Sequence, residues 1–410
     1  MTDGAKLGPG LCWGDGVAGR LFLCLVLLVG CACLPLRPAS AAELIIGVVE
    51  LADDARYRES RTFARHLSQP LGRPFAGAET ALGEVSFHGV QAGVTFALRR
   101  LRVDDPDALP DMLDAAIAGG IRFLLADLPA EALSRAVAAT AGRDVLLFNV
   151  SAGEDVLRAG GCAPHLLHTV PSDAMLADAL AQYLASRRWR DVLALVGPTA
   201  RDKVLHAAVV RAAKRYGLKI VDERDFLPGG DPRQRRRNNL LLLTQGDDYD
   251  VIHIADNEGD VARALSYSTY APRPVVGSDG LAALAWHWAW ERHGAPQLEA
   301  RFEKKSGRAM QSVDWAAWIA VKAVAEAVQR TGSAEFASLR DYLLDPELVL
   351  DGFKGNRMNF RPWNNQLRQP LLVATHNWVV SRAPVEAFVH QHNNLDTLGY
   401  DEPESRCRLR

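Results

Sequence analysis

The sequence predicts an α/β protein built as two doubly wound parallel-sheet lobes, and two observations carry the prediction. Short apolar, β-rich runs alternate with alanine-rich helical stretches, and no hairpin signal separates them. The chain of 410 residues is also too long for one compact core, even at about 370 residues once a targeting segment is set aside.

The runs fall into two sets. "LIIGVVE" (44–50), "VTFALRRLRVDD" (94–105), "RFLLADL" (122–128) and "DVLLFNV" (144–150) form the first. "DVLALVG" (191–197), "KIVDERDFL" (219–227), "DVIHIAD" (250–256) and "RPVVGSD" (273–279) form the second. Stretches between them, such as "PDMLDAAIAGG" and "RDKVLHAAVVRAAKRYG", repeat apolar residues at helical spacing. "SVDWAAWIAVKAVAEAVQRTG" (312–332) reads as a long amphipathic helix ended by a glycine cap. After it come short strands and turns that recross between lobes. The expected organisation is residues 42–169 and 300–350 in lobe one, 170–299 and 351–395 in lobe two, and 396–410 as a C-terminal tail.

Residues 1–41 read as a secretory signal peptide. The apolar run from Leu21 to Leu34 falls short of the roughly 20 residues a bilayer span takes. Pro35 and Pro38 break it, and Ala39-Ser40-Ala41 makes an A-x-A cleavage site. "LVGC" offers a competing lipoprotein reading with the lipid on Cys31. Both readings export the chain. Export leaves Cys162 and Cys407 in the mature protein, which in an oxidising compartment favours one disulfide over two free thiols. Neither has a neighbour at metal-ligand spacing.

Charged residues make up 23% of the chain and the formal net charge is -2, which points to neither nucleic acid nor an anionic membrane as partner. The basic run Arg233 to Arg237 reads as a solvated helix end. No G-x-S-x-G, no G-x-x-x-x-G-K-[ST] and no G-x-G-x-x-G after a strand is present, so the chain is expected not to be an enzyme. His165 and His168 would point to opposite faces of a strand, and His390 and His392, with Asp396 nearby, read as solvated tail residues. Asp53-Asp54 and Asp104-Asp105 read as loop charges.

In open parallel sheets ligands sit beyond the carboxyl ends of the strands. The loops to read therefore begin at Glu50, Asp127, Asn149, Gly197, Asp256 and Ser278, and the first mature strand would aim Glu50 at a cleft between lobes.

Five stretches, in order, carry a resemblance: "IGVVE", "NVSAGEDVLR…CAPHLLHTVPSD", "PVVGSDG", "DWAAWIAVKAVAEAVQRTGS" and "DGFKGNRMNF". Together they resemble the type I periplasmic solute-binding proteins of ABC transporters, in the branched-chain amino-acid-binding branch. The likeness spans nearly the whole mature chain. It implies a monomeric periplasmic receptor that closes like a flytrap on a small solute and serves an ABC permease. Within the family, the insertion "ADDARYRESRTFARHLSQPLGRPF", the tryptophan-rich "AWHWAWERHG" and the ending "GYDEPESRCR" look like a subgroup found with PQQ-dependent alcohol dehydrogenase systems. That finer likeness implies PQQ, or a metabolite linked to PQQ-dependent oxidation, as ligand. Its alternatives are an accessory role beside a PQQ-dependent dehydrogenase, or an amino-acid receptor of the branched-chain type.

Carried over position by position, the resemblance makes Asp279 the anchor for a ligand amine and Asn149 and Ser151 the lobe-one hydrogen-bonders, with Asp256 as a second polar contact. Asp127 stands where the family has a small hydroxyl residue, and there it would repel a ligand carboxylate unless a cation intervened. Tyr57 and Trp286 would be aromatic walls, and Arg58 and Arg61 would reach the cleft mouth.

Overall fold

The computed structural model describes residues 42–57, 70–246 and 248–409. The predicted signal peptide, the lipid-acceptor reading of Cys31, and Arg58 and Arg61 lie outside the described residues.

The first sheet is wholly parallel, in the order β2-β1-β3-β4-β5. Its strands are β1 (Ala42–Leu51), β2 (Val94–Val103), β3 (Phe123–Asp127), β4 (Leu146–Asn149) and β5 (Leu166–His168). Period-two alternation sends Ile46 and Val48 to one face, where they meet helices α1 (Phe75–Gln91) and α7 (Ser312–Thr331). Val49 and Leu51 face the opposite side, against α2 (Leu109–Ala118) and α3 (Ala130–Ala139). Helix α7 starts in a Gln311–Asp314 capping box and is ended by Gly332 at φ 64°, a left-handed turn that glycine adopts without a Cβ clash.

The second sheet is parallel too, in the order β7-β6-β8-β9, from β6 (Asp191–Val196), β7 (Lys219–Asp225), β8 (Val251–Ala255) and β9 (Val275–Gly277). Leu193, Leu195, Ile252 and Ile254 form its core on one side. Helices α4 (Asp173–Ser186) and α5 (Ala200–Tyr216) pack together through Ala177, Ala181, Ala208 and Ala212, small residues that let the two backbones approach. A third, antiparallel sheet of β10 (Ala282–Leu284), β13 (Leu371–Ala374) and β14 (Val379–Ala383) lies against α4. The hairpin β11 (Leu350–Asp351) and β12 (Arg357–Met358) completes the strands. Helix α6 (Ala295–Ser306) packs on α1, across the boundary expected at residue 299.

Where the chain passes between the lobes, Gln366 forms a buried polar knot. Its Nε2 donates to the His168 and Val170 carbonyls, and its Oε1 accepts from Arg158 Nε at 2.6 Å. The C-terminal segment then runs over α5, where Arg215 donates to the Gly399 carbonyl and Tyr216 to that of Thr397. It ends at a disulfide between Cys407 and Cys162, with their Cα atoms 5.9 Å apart. The bridge closes a loop of 245 residues. Cys162→Ser with Cys407→Ser is expected to lower unfolding stability by about 2–4 kcal/mol, read from the denaturant midpoint. An unchanged midpoint would mean that the buried salt links of the tail hold it without the bridge.

Candidate functional site

Both strand orders reverse direction once, between β1 and β3 in sheet one and between β6 and β8 in sheet two. The crevice beyond the strand ends at such a switch point is where doubly wound sheets hold ligands. Register aligns Glu50 of β1 with Asp127 of β3, so both carboxylates leave the same face at the same level.

Around Asp127 the structure gathers Tyr57, Ser151 and an arginine that sequence reading passed over. The 3-10 turn Ala55–Tyr57 follows β1 directly and carries Arg56 and Tyr57. Tyr57 donates its hydroxyl to Asp127 Oδ1 at 2.8 Å. Arg56 donates through Nη2 to Asp127 at 3.1 Å and to Asp54 at 2.6 Å, and through Nη1 to Ser151 Oγ at 2.9 Å. Arg73 lies 3.5 Å from Asp127 and donates to the Leu51 and Ala52 carbonyls. Both guanidiniums stand near the Tyr57 ring, at 5.3 and 4.7 Å from its centroid.

Electrostatics follow from this packing. Burial opposes the Arg56 charge, but Tyr57, Asp127 and Asp54 outweigh it and hold the guanidinium above its ordinary pKa. Burial, and then the Asp127 charge, push the Tyr57 hydroxyl well up, so it remains a donor. Burial pushes the Asp54 carboxyl up, yet its bonds to Arg56 and the charge of Arg73 bring it below the usual value. Asp54 is thus a buried, paired carboxylate and not the loop charge its sequence context indicated. The cation needed beside Asp127 is built into the chain as Arg56. Among the described residues its Nη1 bonds to Ser151 alone, leaving a second hydrogen, and with the side chain 28% exposed it can meet a solute carboxylate.

Two lobe-one expectations change role. Glu50 is fully buried: its Oε1 is bound by Arg100 and Arg102, each at 3.2 Å, and its Oε2 lies 3.7 Å from Arg73, so it sits behind the arginines of the site and is closed off from a solute. Asn149 is also fully buried: its Oδ1 accepts from the Ala152 N–H at 2.9 Å, and its Nδ2 donates to the Ala152 carbonyl at 2.7 Å. It shapes the turn that presents Ser151 and keeps no oxygen for a solute.

In lobe two, Asp256 is likewise committed. Its carboxylate accepts from the Gly259, Val261 and Ala262 N–H groups at 2.8–2.9 Å, capping the loop after β8. It therefore offers no second polar contact. Asp202 does the same for the neighbouring turn, closing a capping box with Thr199 and accepting from the Asn257 N–H at 2.6 Å. Asp279 is 4% exposed, and its Oδ1 lies 2.6 Å from His376 Nε2, on the turn between β13 and β14. Trp286 is not a cleft wall. It is 1% exposed in the core, with its indole N–H donated to Glu299 of α6 at 3.0 Å. Trp290 is buried as well, and donates to the Phe353 carbonyl. The tryptophan beside Asp279 is Trp288, about half exposed, whose N–H donates to the His376 carbonyl at 3.3 Å. The lobes meet where Arg201, in the first turn of α5, pairs with Asp173 and lies 3.7 Å from Glu154.

Arg56, Asp54, Arg73 and His376 were absent from the sequence-based site, and of the alternating Trp286, Trp288 and Trp290 it chose Trp286 where the exposed one is Trp288. "ADDARY" held a signal for the first two, an acid two residues before an arginine at the exit of a strand.

Two parallel-sheet lobes with these strand orders are the architecture of the type I periplasmic binding proteins. A branched-chain amino-acid ABC transporter periplasmic ligand-binding protein from Burkholderia xenovorans is 14% identical, with 89% of this chain and 99% of that one covered at a TM-score of 0.68. A solute-binding protein of an ABC transporter from Rhodopseudomonas palustris, solved with 3,4-dihydroxybenzoic acid, is 14% identical over 81% and 93%, at 0.60. An ABC transporter substrate-binding protein from Desulfitobacterium hafniense, solved with leucine, is 17% identical over 82% and 99%, also at 0.60. At these identities the likeness is one of fold. No protein-family model and no curated protein matches the chain.

Proposed function

We propose that the protein is the non-catalytic, periplasmic solute-binding component of an ABC-type transport system, and that its solute is a small molecule bearing a carboxylate. The observation that carries this is Arg56, held at the β1–β3 switch point beside the Ser151 hydroxyl with its charge reinforced by Asp127 and Asp54. The ligands of the two solved complexes, leucine and 3,4-dihydroxybenzoic acid, share a carboxylate, which supports the same chemistry. A solute held by Arg56 and Ser151 in lobe one and by the Asp279–His376 pair in lobe two stabilises only the closed state. Capture is then a population shift, and release to a permease reverses it. PQQ would need flat aromatic walls, and of Trp286, Trp288 and Trp290 only Trp288 is exposed, so a smaller solute fits this reading better.

A fluorescence and thermal-shift screen tests the proposal, with leucine, 3,4-dihydroxybenzoate, PQQ, short alcohols and their acids. Saturable binding of an acid but not of its alcohol supports it. Binding of a short alcohol in preference to its acid, or silence across the panel from the folded protein, overturns it, and a response to PQQ alone keeps the carboxylate but overturns the smaller solute. For an amino-acid solute, Asp279→Ala is expected to weaken binding at least tenfold, about 1.4 kcal/mol, and to leave a plain acid unaffected. Equal affinity for the amino acid in variant and parent removes Asp279 from the site.

A further inference from the structure

The group that the solute carries at its lobe-two end depends on the surroundings of Asp279. This residue follows β9 in a turn fixed by close approach: Gly280 has φ 75°, and a Cβ there would come 2.3 Å from the Val275 carbonyl oxygen. Opposite it, Thr375 donates its N–H to the Trp378 carbonyl at 2.8 Å and closes the β13–β14 turn that carries His376. The Trp288 indole N–H donates to the His376 carbonyl, and the Trp288 ring stacks on that of the buried His287. Both partners of the Asp279–His376 pair are therefore held by their own backbones.

The two side chains are unequally exposed. That of Asp279 keeps 6% of its surface in contact with solvent, that of His376 54%. His376 Nε2 carries a hydrogen, because its partner at 2.6 Å is a carboxylate oxygen, and Nδ1 has no partner among the described residues. A solute arriving at this pair meets the imidazole before the carboxylate. An ammonium has three hydrogens to place, and a single imidazole nitrogen accepts one at most; a protonated ring accepts none and repels the charge. A hydroxyl both donates and accepts, so it matches Nδ1 in either form of the ring. Each donor left unplaced in a closed cleft costs about 1–3 kcal/mol.

We propose that His376 is the specificity-determining residue of lobe two, and that it selects an acid whose second polar group is a hydroxyl over one that carries an ammonium. The inference rests on the carboxylate reading above, in which Arg56 and Ser151 hold the acid end. Asp279 then acts through the imidazole: it fixes the ring and its tautomer, and His376 covers it from the solute.

Matched acids, titrated by calorimetry into the full protein, test this. One set is leucine, 2-hydroxy-4-methylpentanoate and 4-methylpentanoate; the other is 4-aminomethylbenzoate, 4-hydroxybenzoate and benzoate. Within a set that binds, the hydroxy acid is expected to bind at least tenfold tighter than the ammonium-bearing and the unsubstituted acids. In His376→Ala the hydroxy acid should weaken at least tenfold, to the level of the unsubstituted acid, while the ammonium-bearing acid gains because Asp279 is uncovered. A tighter ammonium-bearing acid in the parent protein, no gain from the hydroxyl, or an unchanged hydroxy acid in His376→Ala would each overturn the inference and leave the carboxylate reading standing. Silence from every acid would overturn both. The parent protein's affinity ratios decide the matter should the variant fold poorly.

Discussion

Arg56→Met is expected to weaken capture of the carboxylate solute at least a hundredfold, about 2.8 kcal/mol, and to destabilise the protein by about 3 kcal/mol. The first effect follows from geometry. Arg56 is the cation at the switch point that stands beside Ser151 and is partly exposed. Methionine keeps much of the side-chain volume but no donor. The second effect follows from what remains: Asp127 and Asp54 stay buried, with Arg73, at 3.5 Å, the nearest remaining cation to Asp127 among the described residues. Removing one partner of a buried ion network leaves an uncompensated charge, which is more costly than never having built the pair. Adding Asp127→Asn should therefore recover part of the stability and none of the affinity. Calorimetric titration and denaturant unfolding of the two variants separate the effects. Wild-type affinity in Arg56→Met would rule out Arg56 as the anchor.

Asp396→Ala is expected to cost about 3–5 kcal/mol of stability. Sequence reading put Asp396 beside a solvated histidine pair. The structure buries it at 1% exposure, with Arg361 Nε at 2.8 Å and Arg368 Nε at 2.9 Å. Arg361 is itself 1% exposed and donates further to the Leu395 and Leu398 carbonyls. Burial lowers its pKa, and Asp396 is the nearest opposing charge. Without that carboxylate two guanidiniums would face each other where the C-terminal segment docks. The denaturant midpoint measures the loss, and Arg361→Met with Asp396→Leu should restore part of it. A loss under about 1 kcal/mol would mean that the backbone carbonyls alone satisfy Arg361.

The two lobes were legible because their signals are local. Alternation of β-rich and helical runs, the glycine after α7 and the run of parallel strands are each read within a few dozen residues. The disulfide was legible by arithmetic, since Cys162 and Cys407 are the two cysteines left once the expected signal peptide is set aside. Loop positions were legible too: Tyr57, Asp127 and Ser151 were singled out from strand ends, and the structure brings them together.

The sequence by itself determined the fold class, the strand ends and the residue types available there. Only the tertiary structure decided which of those residues remain available to a solute. Asn149 and Asp256 looked like ligand contacts, but their oxygens are taken by backbone N–H groups within a few residues, because an exposed-looking acid or amide at a strand end is also a good loop cap. Asp54 looked like a loop charge and Arg56 was passed over because the contacts that place the pair are distant: Arg56 reaches Asp127 and Ser151 across 71 and 95 residues of chain. Trp286 looked like a wall because alternation states which side chains share a face and not which face is buried. Pairing over such separations depends on how the sheets and helices pack, and no local pattern encodes it.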